Sequence, residues 1–298
     1  MSQAITAVGV LGCGLMGSGI AQTAAAAGYR TVVRDTADDV LAKGRASVER
    51  SLTRMVDKGA VTAPDREETL GRLVFTTDLA QVGDVGIVIE AVTEDLAIKN
   101  QLWRELDDRC PAATIFASNT SSLKIGSMAA ATRRPDRMVG LHFFNPVPLM
   151  PLIEVVRGSA TSVDTFDRAM AFARSLGKEA VASRDSSGFL VNRLLVPYLL
   201  DAVRALESGT GTVADLDTAM RLGCGHPMGP FTLLDFVGLD TVVRIAGIMF
   251  EEYHEPRFAP PSLLRRMVTA GQYGRKSGKG FYDYSVAPPV PVSVSVEP

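Results

Sequence analysis

The chain has 298 residues, 46% of them hydrophobic and 21% charged, with a formal net charge of −2. That length holds two ordinary domains with separate cores, and the composition is that of a soluble globular protein. The near-neutral charge argues against a nucleic-acid binder, which carries a clustered basic excess. The three cysteines, Cys13, Cys110 and Cys224, form no metal-type pair and read as reduced thiols. No Lys or Arg precedes Arg30, and Gly and Gln interrupt the apolar N-terminal stretch, so it makes a poor export signal. No uncharged run is long enough to span a bilayer. The expectation is a cytoplasmic protein with no membrane, nucleic-acid or metal partner.

From residue 5 to about 184, short β-rich runs alternate with longer amphipathic ones. Strands are predicted at Ala7–Leu11, Thr31–Arg34, Leu73–Thr76, Val85–Glu90, Thr114–Ala117, Met138–Phe144, Leu152–Val156 and Ala180–Ser183. Helical patterns separate the first five, as a parallel α/β sheet requires. About six residues join the run ending at Phe144 to the run near Pro151, too few for a parallel crossover. These two strands should therefore pair antiparallel. After Ser183 strand signals stop, and apolar-periodic segments occupy roughly 188–208, 213–222, 230–253 and 262–272. The fold class expected is α/β, a Rossmann-type, mostly parallel sheet with an antiparallel edge, followed by a smaller all-helical domain. The domains are expected at 1–184 and 185–284, with a flexible tail at 285–298.

The first strand leads into Gly12-Cys13-Gly14-Leu15-Met16-Gly17 and then an Ala-rich helix. Glycines permit a tight turn and close approach of backbone to pyrophosphate, and the helix N-terminus supplies N–H groups and positive dipole. Asp35 ends the next strand, eighteen residues past Gly17, which completes the context of a dinucleotide fingerprint. Its carboxylate suits the ribose hydroxyls and disfavours a 2′-phosphate, which points to NAD over NADP. Strand alternation should aim Arg34 away from Asp35's side.

His142, one of three histidines, ends an apolar strand, and Glu154 sits inside another, twelve residues on. In a hairpin folded about Pro148 the two are equidistant from the tip, so symmetric pairing places them opposite each other. Taken alone, His142 reads equally as a satisfied core histidine. Glu154 between apolar neighbours needs a partner. Ser121 and its neighbours would ordinarily be a helix-capping cluster, although the carboxyl end of a parallel strand is also where α/β sheets bind ligands. Asn192, in an otherwise apolar helix, requires a hydrogen-bond partner, from substrate or from an interdomain bond. Lys43, Arg45, Arg50, Arg54 and Lys58 form the solvated face of an amphipathic segment.

Four motifs stand in order along the chain: Ala117-Ser118-Asn119-Thr120-Ser121-Ser122, Gly140-Leu141-His142-Phe143-Phe144-Asn145-Pro146, Gly188-Phe189-Leu190-Val191-Asn192-Arg193 and Gly223-Cys224-Gly225-His226-Pro227-Met228-Gly229-Pro230. With them the chain, from about residue 5 to Tyr284, resembles the L-3-hydroxyacyl-CoA dehydrogenases, and its size suggests the stand-alone bacterial 3-hydroxybutyryl-CoA type. The resemblance implies that His142 is the catalytic base, Glu154 its partner, and Ser121 and Asn192 substrate-holding residues. It implies NAD contacts at Glu94, Lys99, Ser121, Asn145 and Lys276, beside those of Gly12, Gly14, Leu15, Met16, Gly17 and Asp35. Ser51 and Lys58, seven residues apart on one helix face, match positions that touch coenzyme A. It further implies a homodimer formed through the helical domains. Two readings compete: a dehydrogenase of a free hydroxy acid, of the gulonate dehydrogenase type that resembles lens λ-crystallin, and a catalytically silent nucleotide-binding protein. The first would not depend on Ser51 and Lys58; the second would have no need of Ser121, His142, Glu154 and Asn192 together.

Overall fold

A computed structural model describes residues 5–292, which divide into two compact units, up to Phe189 and from Leu190. The first unit alternates strands and helices in the order β1 (Ala7–Leu11), α1 (Leu15–Ala26), β2 (Arg30–Arg34), α2 (Asp38–Asp57), α3 (Ala63–Gly71), β3 (Leu73–Thr76), β4 (Ile87–Glu90), α4 (Leu96–Asp107) and β5 (Ile115–Ser118). It continues with α5 (Ile125–Ala129), β6 (Met138–Phe143), β7 (Leu152–Arg157), α6 (Val163–Ser175) and β8 (Glu179–Arg184). Eight strands form one sheet in the order β3-β2-β1-β4-β5-β6-β7-β8. Every neighbouring pair is parallel except β6 with β7.

The sheet is covered on both faces, so its central strands are continuous apolar runs. Alternate residues serve opposite cores: Val8 and Val10 of β1 pack with Ile20 and Ala24 of α1 and Phe172 of α6, while Ala7 and Leu11 pack with Trp103 and Leu106 of α4. Each strand predicted from sequence is present, with ends shifted by a residue or two. The strand order reverses between β1 and β4, the topological switch point at which open α/β sheets bind ligands beyond the strand carboxyl ends.

The second unit holds α7 (Val191–Glu207), α8 (Val213–Gly223), α9 (Pro230–Val237), α10 (Leu239–Tyr253) and α11 (Ser262–Thr269). Its core joins Leu199 and Leu200 of α7, Phe231 and Leu234 of α9, Met249 of α10 and Leu264 of α11. The single helical segment expected over 230–253 is two helices. Gly238, with φ +100°, breaks it in a conformation that no side chain favours. The division into units falls five residues beyond the expected 184/185 boundary, because the linker after β8 folds back: Asp185 binds the first N–H groups of α5, and Phe189 joins the core of the first unit. Part of the expected flexible tail is ordered, since β10 (Val290–Pro291) pairs antiparallel with β9 (Tyr282–Asp283). Residues 293–298 of that tail lie outside the described residues.

Candidate active site

At the switch point, Gly12, Gly14, Arg34, Asp35, Thr36, Ala91 and Val92 line a cleft of about 580 Å³. Gly12 turns the chain at φ +92°, where a Cβ would lie 2.5 Å from the Ala91 carbonyl. A Cβ on Gly17 would meet the Gly12 carbonyl at 1.8 Å, so α1 can start this close to β1 only with glycine there. No side chain caps α1, and its first turn carries no acid. Its leading N–H groups therefore remain for an anion, as a pyrophosphate requires. Asp35 Oδ2 accepts the Cys13 N–H at 2.7 Å, and Oδ1 accepts that of Thr36 at 2.7 Å, so the carboxylate also ties the glycine loop to β2. These features fit a dinucleotide.

One expectation fails here. Arg34 lines the same cleft as Asp35, with its Nε donating to the Thr77 carbonyl at 3.2 Å. Asp35 lies one residue past the end of β2, where strict strand alternation no longer governs side-chain direction.

His142 and Glu154 are directly opposite in the β6–β7 register. His142 Nδ1 lies 2.6 Å from Glu154 Oε2; the imidazole residue is 6% exposed and the carboxylate residue 0%. With Nδ1 committed to a buried carboxylate, Nε2 is the nitrogen left to exchange a proton with a ligand. Phe144 and Phe189 flank the ring at centroid distances of 4.5 and 5.6 Å. Phe189 holds φ +45°, a left-handed conformation that costs a bulky residue about 1–3 kcal/mol and marks functional regions. Sequence reading assigned neither ring a role at the site.

Ser121 is half-buried on the loop after β5, next in the sheet to β6 and His142. The serine–threonine cluster around it caps no helix. Asp185 caps α5, accepting from Ile125 N at 2.8 Å and Gly126 N at 2.7 Å, while Thr120 Oγ1 accepts from the loop's own Ser122 and Leu123 N–H groups. Asn119 Oδ1 accepts the Phe143 N–H at 2.9 Å and so fastens this loop to the residue after His142.

Beneath the loop lies a buried polar network. Lys99, 1% exposed on α4, places its ammonium 2.5 Å from Glu90 Oε1 and 3.1 Å from Glu94 Oε2. Its charge is committed to these two carboxylates, so its influence on a ligand passes through Glu94. Burial by itself would raise the pKa of Glu94. The Lys99 ammonium and hydroxyl donors from Thr120 and Ser122 outweigh burial and hold it below the usual carboxylate value. Glu90 is the functional candidate that sequence reading missed. Its signal was present: an acid ending the apolar strand Ile87–Glu90, the same pattern that singled out Glu154.

The remaining candidates stand on other segments of the chain. Asn145 is exposed just beyond β6. Ser51 is half-buried on α2, and Lys58 is exposed at its C-terminus. In the basic stripe beside them, Lys43 pairs with Asp39 at 2.9 Å and Arg45 with Glu49 at 3.1 Å. Asn192 stands in the first turn of α7, and Lys276 pairs with Asp240 at 2.6 Å; both belong to the second unit.

Residues 7–186 match the 3-hydroxyacyl-CoA dehydrogenase NAD-binding domain, and residues 188–284 match the C-terminal domain of the same family. The chain belongs to the 3-hydroxyacyl-CoA dehydrogenase family. It is 52% identical over 287 residues to a 3-hydroxybutyryl-CoA dehydrogenase of Mycobacterium tuberculosis, covering 95% of this chain and 100% of that one. It is 47% identical over 284 residues to the mitochondrial hydroxyacyl-coenzyme A dehydrogenase of Sus scrofa, covering 93% and 90%. The crystal structure of (S)-3-hydroxybutyryl-CoA dehydrogenase from Ralstonia eutropha superposes with a TM-score of 0.92 at 41% identity, covering 95% of this chain and 100% of that one. The first unit is thus the NAD-binding domain of this family, with the mostly parallel sheet and antiparallel edge expected from sequence.

Proposed function

We propose that the chain interconverts a (3S)-3-hydroxyacyl-CoA and the corresponding 3-oxoacyl-CoA, with His142 as general base in oxidation and general acid in reduction. The observation that carries the role of His142 is the buried 2.6 Å contact between Nδ1 and Glu154, at the carboxyl end of a strand. Removing the hydroxyl proton requires a base near neutral pH, and an imidazole held in one tautomer by a carboxylate meets that need. Glu154 stabilises the imidazolium once the proton has arrived. Bound NAD supplies the hydride acceptor.

The residues that would hold NAD are the glycine loop Gly12–Gly17 with Leu15 and Met16, Asp35 at the ribose, and Glu94, Ser121 and Asn145, with Lys99 acting behind Glu94. Ser121 and Asn192 would hold the reacting end of the substrate, Lys276 would serve NAD, and Ser51 and Lys58 would bind coenzyme A. These roles rest on the positions the residues occupy in the family's motifs. A short acyl chain is favoured by the relatives named 3-hydroxybutyryl-CoA dehydrogenase, at 43% and 52% identity. Three free cysteines support a cytoplasmic setting, and the family resemblance supports a homodimer. Among the described residues no helix is long and apolar enough to cross a membrane.

Initial rates with 3-oxoacyl-CoAs of increasing length, with NADH and with NADPH and with the free acids alongside, test this reading. Turnover of short 3-oxoacyl-CoAs with NADH is expected. Activity confined to free acids would remove the CoA assignment, and a strong NADPH preference would overturn the role given to Asp35. A Ser51→Ala/Lys58→Ala double variant should raise KM for acyl-CoA while leaving the KM for NADH unchanged.

A further inference from the structure

We propose that Glu90 is a positioning residue for the dinucleotide and the reacting groups, acting through Lys99 and Ser118 on the loop that carries Ser121; this rests on the dehydrogenase reading above. Glu90 is 0% exposed, and its carboxylate accepts from Lys99 Nζ at 2.5 Å, Val92 N at 2.8 Å and Ser118 Oγ at 2.6 Å. Its backbone carbonyl accepts the Asn119 N–H at 2.8 Å. One residue thus joins the cleft-lining segment after β4, helix α4 and the end of β5. A buried carboxylate needs a paired charge or hydrogen-bond donors for its lone pairs, and Glu90 has both.

Two routes run from this carboxylate to residues 119–122. Along the first, Ser118 Oγ, which donates to Glu90, accepts the Thr120 N–H at 3.3 Å. Along the second, Lys99 reaches Glu94 at 3.1 Å, and Glu94 accepts from the hydroxyls of Thr120 and Ser122. The same loop presents Ser121, and its Asn119 accepts the N–H of Phe143, next to His142. A carboxylate needed only to fill the core would not have both of its routes end on one ligand-facing loop. Glu90 also shares the Lys99 ammonium with Glu94.

The test uses the full chain with Glu90→Gln, Ser118→Ala and the double variant. NADH affinity is read by fluorescence titration without acyl substrate, and kcat, KM and thermal unfolding are measured alongside. Glu90→Gln is expected to weaken NADH binding about tenfold and to lower kcat by about ten- to a hundredfold, the scale of a misplaced reacting group. Ser118→Ala removes one hydroxyl; it should lower kcat several-fold while the unfolding temperature stays near that of the parent. The double variant should be no worse than Glu90→Gln alone, since the route through Ser118 itself starts at Glu90. Parental NADH affinity and kcat in both single variants would overturn the proposal, as would losses that multiply in the double variant. Should Glu90→Gln fail to fold, Ser118→Ala decides alone: lowered kcat with unchanged unfolding supports the proposal, and parental kcat overturns it. Failure of the parent protein to turn over any 3-oxoacyl-CoA would instead sink the functional reading, and the NADH titration would still report on Glu90.

Discussion

Both units bury carboxylates, and they satisfy them in different ways. In the sheet unit Glu90 and Glu94 share the ammonium of Lys99, and Glu154 faces the imidazole of His142. In the helical unit the donors to Asp217 and Asp235 among the described residues are neutral. Asp217 accepts from Phe231 N at 2.7 Å, Thr232 N at 3.0 Å, Thr232 Oγ1 at 2.6 Å and Tyr282 Oη at 2.8 Å. Asp235 accepts from Phe281 N and Tyr282 N, each at 2.9 Å, and from Tyr284 Oη at 3.1 Å. The first arrangement sets Glu90 and His142, with their ionisable partners, near the carboxyl ends of β4 and β6. The second fastens α8, α9 and the chain after α11 to one another.

The titration directions differ accordingly. Burial pushes the Asp235 carboxyl above its ordinary value, and hydrogen bonds from Phe281, Tyr282 and Tyr284 only partly offset this, with the nearby charge of Asp217 adding to the rise. Glu94 is buried too, yet its cation and hydroxyl donors carry it the other way. A depressed carboxyl contributes stability that is present above its unfolded pKa, about 4.3 for Glu, and is lost as pH falls through the folded value. A raised carboxyl does the reverse. Its ionisation costs stability that begins to disappear as pH rises past about 3.9, the unfolded value for Asp, and is gone above the folded one.

The sharpest test of the contrast is chemical. His142→Gln should cut turnover by roughly 10²–10⁴-fold while NADH still binds, because the cleft at the glycine loop is untouched. Near-normal turnover would reduce the pair to a core hydrogen bond. Glu154→Gln keeps an acceptor for Nδ1 but removes the charge that stabilises the imidazolium; steady-state kinetics should show a loss of about 10²-fold or more. In the helical unit, Asp217→Ala strands four donors and should cost about 3 kcal/mol by chemical denaturation, given roughly 1–3 kcal/mol for an unsatisfied buried group and partial relaxation. An unchanged denaturation midpoint would show that the neutral-donor network is not what holds the segment after α11.

Smaller effects follow from pH. Unfolding temperatures taken across acid and neutral pH should show that Glu94→Gln flattens the acid limb below about pH 4.3, while Asp235→Asn flattens the decline that starts above about pH 3.9. If the difference between parent and Asp235→Asn stays constant over that range, the two units do not differ as described. The smallest effect belongs to the surface: Lys43→Ala breaks a pair with both side chains largely exposed and should change stability by less than about 0.5 kcal/mol.

Much of the fold and of the site is legible in the amino-acid sequence. The eight strands follow from β-rich runs punctuated by turn residues, and the opposition of His142 and Glu154 follows from a connection too short to cross over. The glycine loop is readable because its residues are contiguous, and Gly12 and Gly17 each have a local steric reason. Harder positions depend on what lies across the fold. Arg34 shares a cleft with Asp35 because the strand ends between them, and the break at Gly238 hides in an unbroken apolar periodicity.

Sequence alone determined the layout of the sheet, the place of the glycine loop and the opposition of His142 and Glu154. All three rest on local periodicity, on connection length or on a contiguous motif. Tertiary structure alone decided the partner of each buried polar group. Lys99 belongs to Glu90 and Glu94, α5 is capped by Asp185 from sixty residues away, and Asp217 meets Tyr282 sixty-five residues on. A hydrophobic pattern states which face of an element is buried, but it carries no information about which donor from a distant segment will arrive there. That depends on packing, and packing is what makes Glu90 a junction between α4, β5 and the loop that carries Ser121.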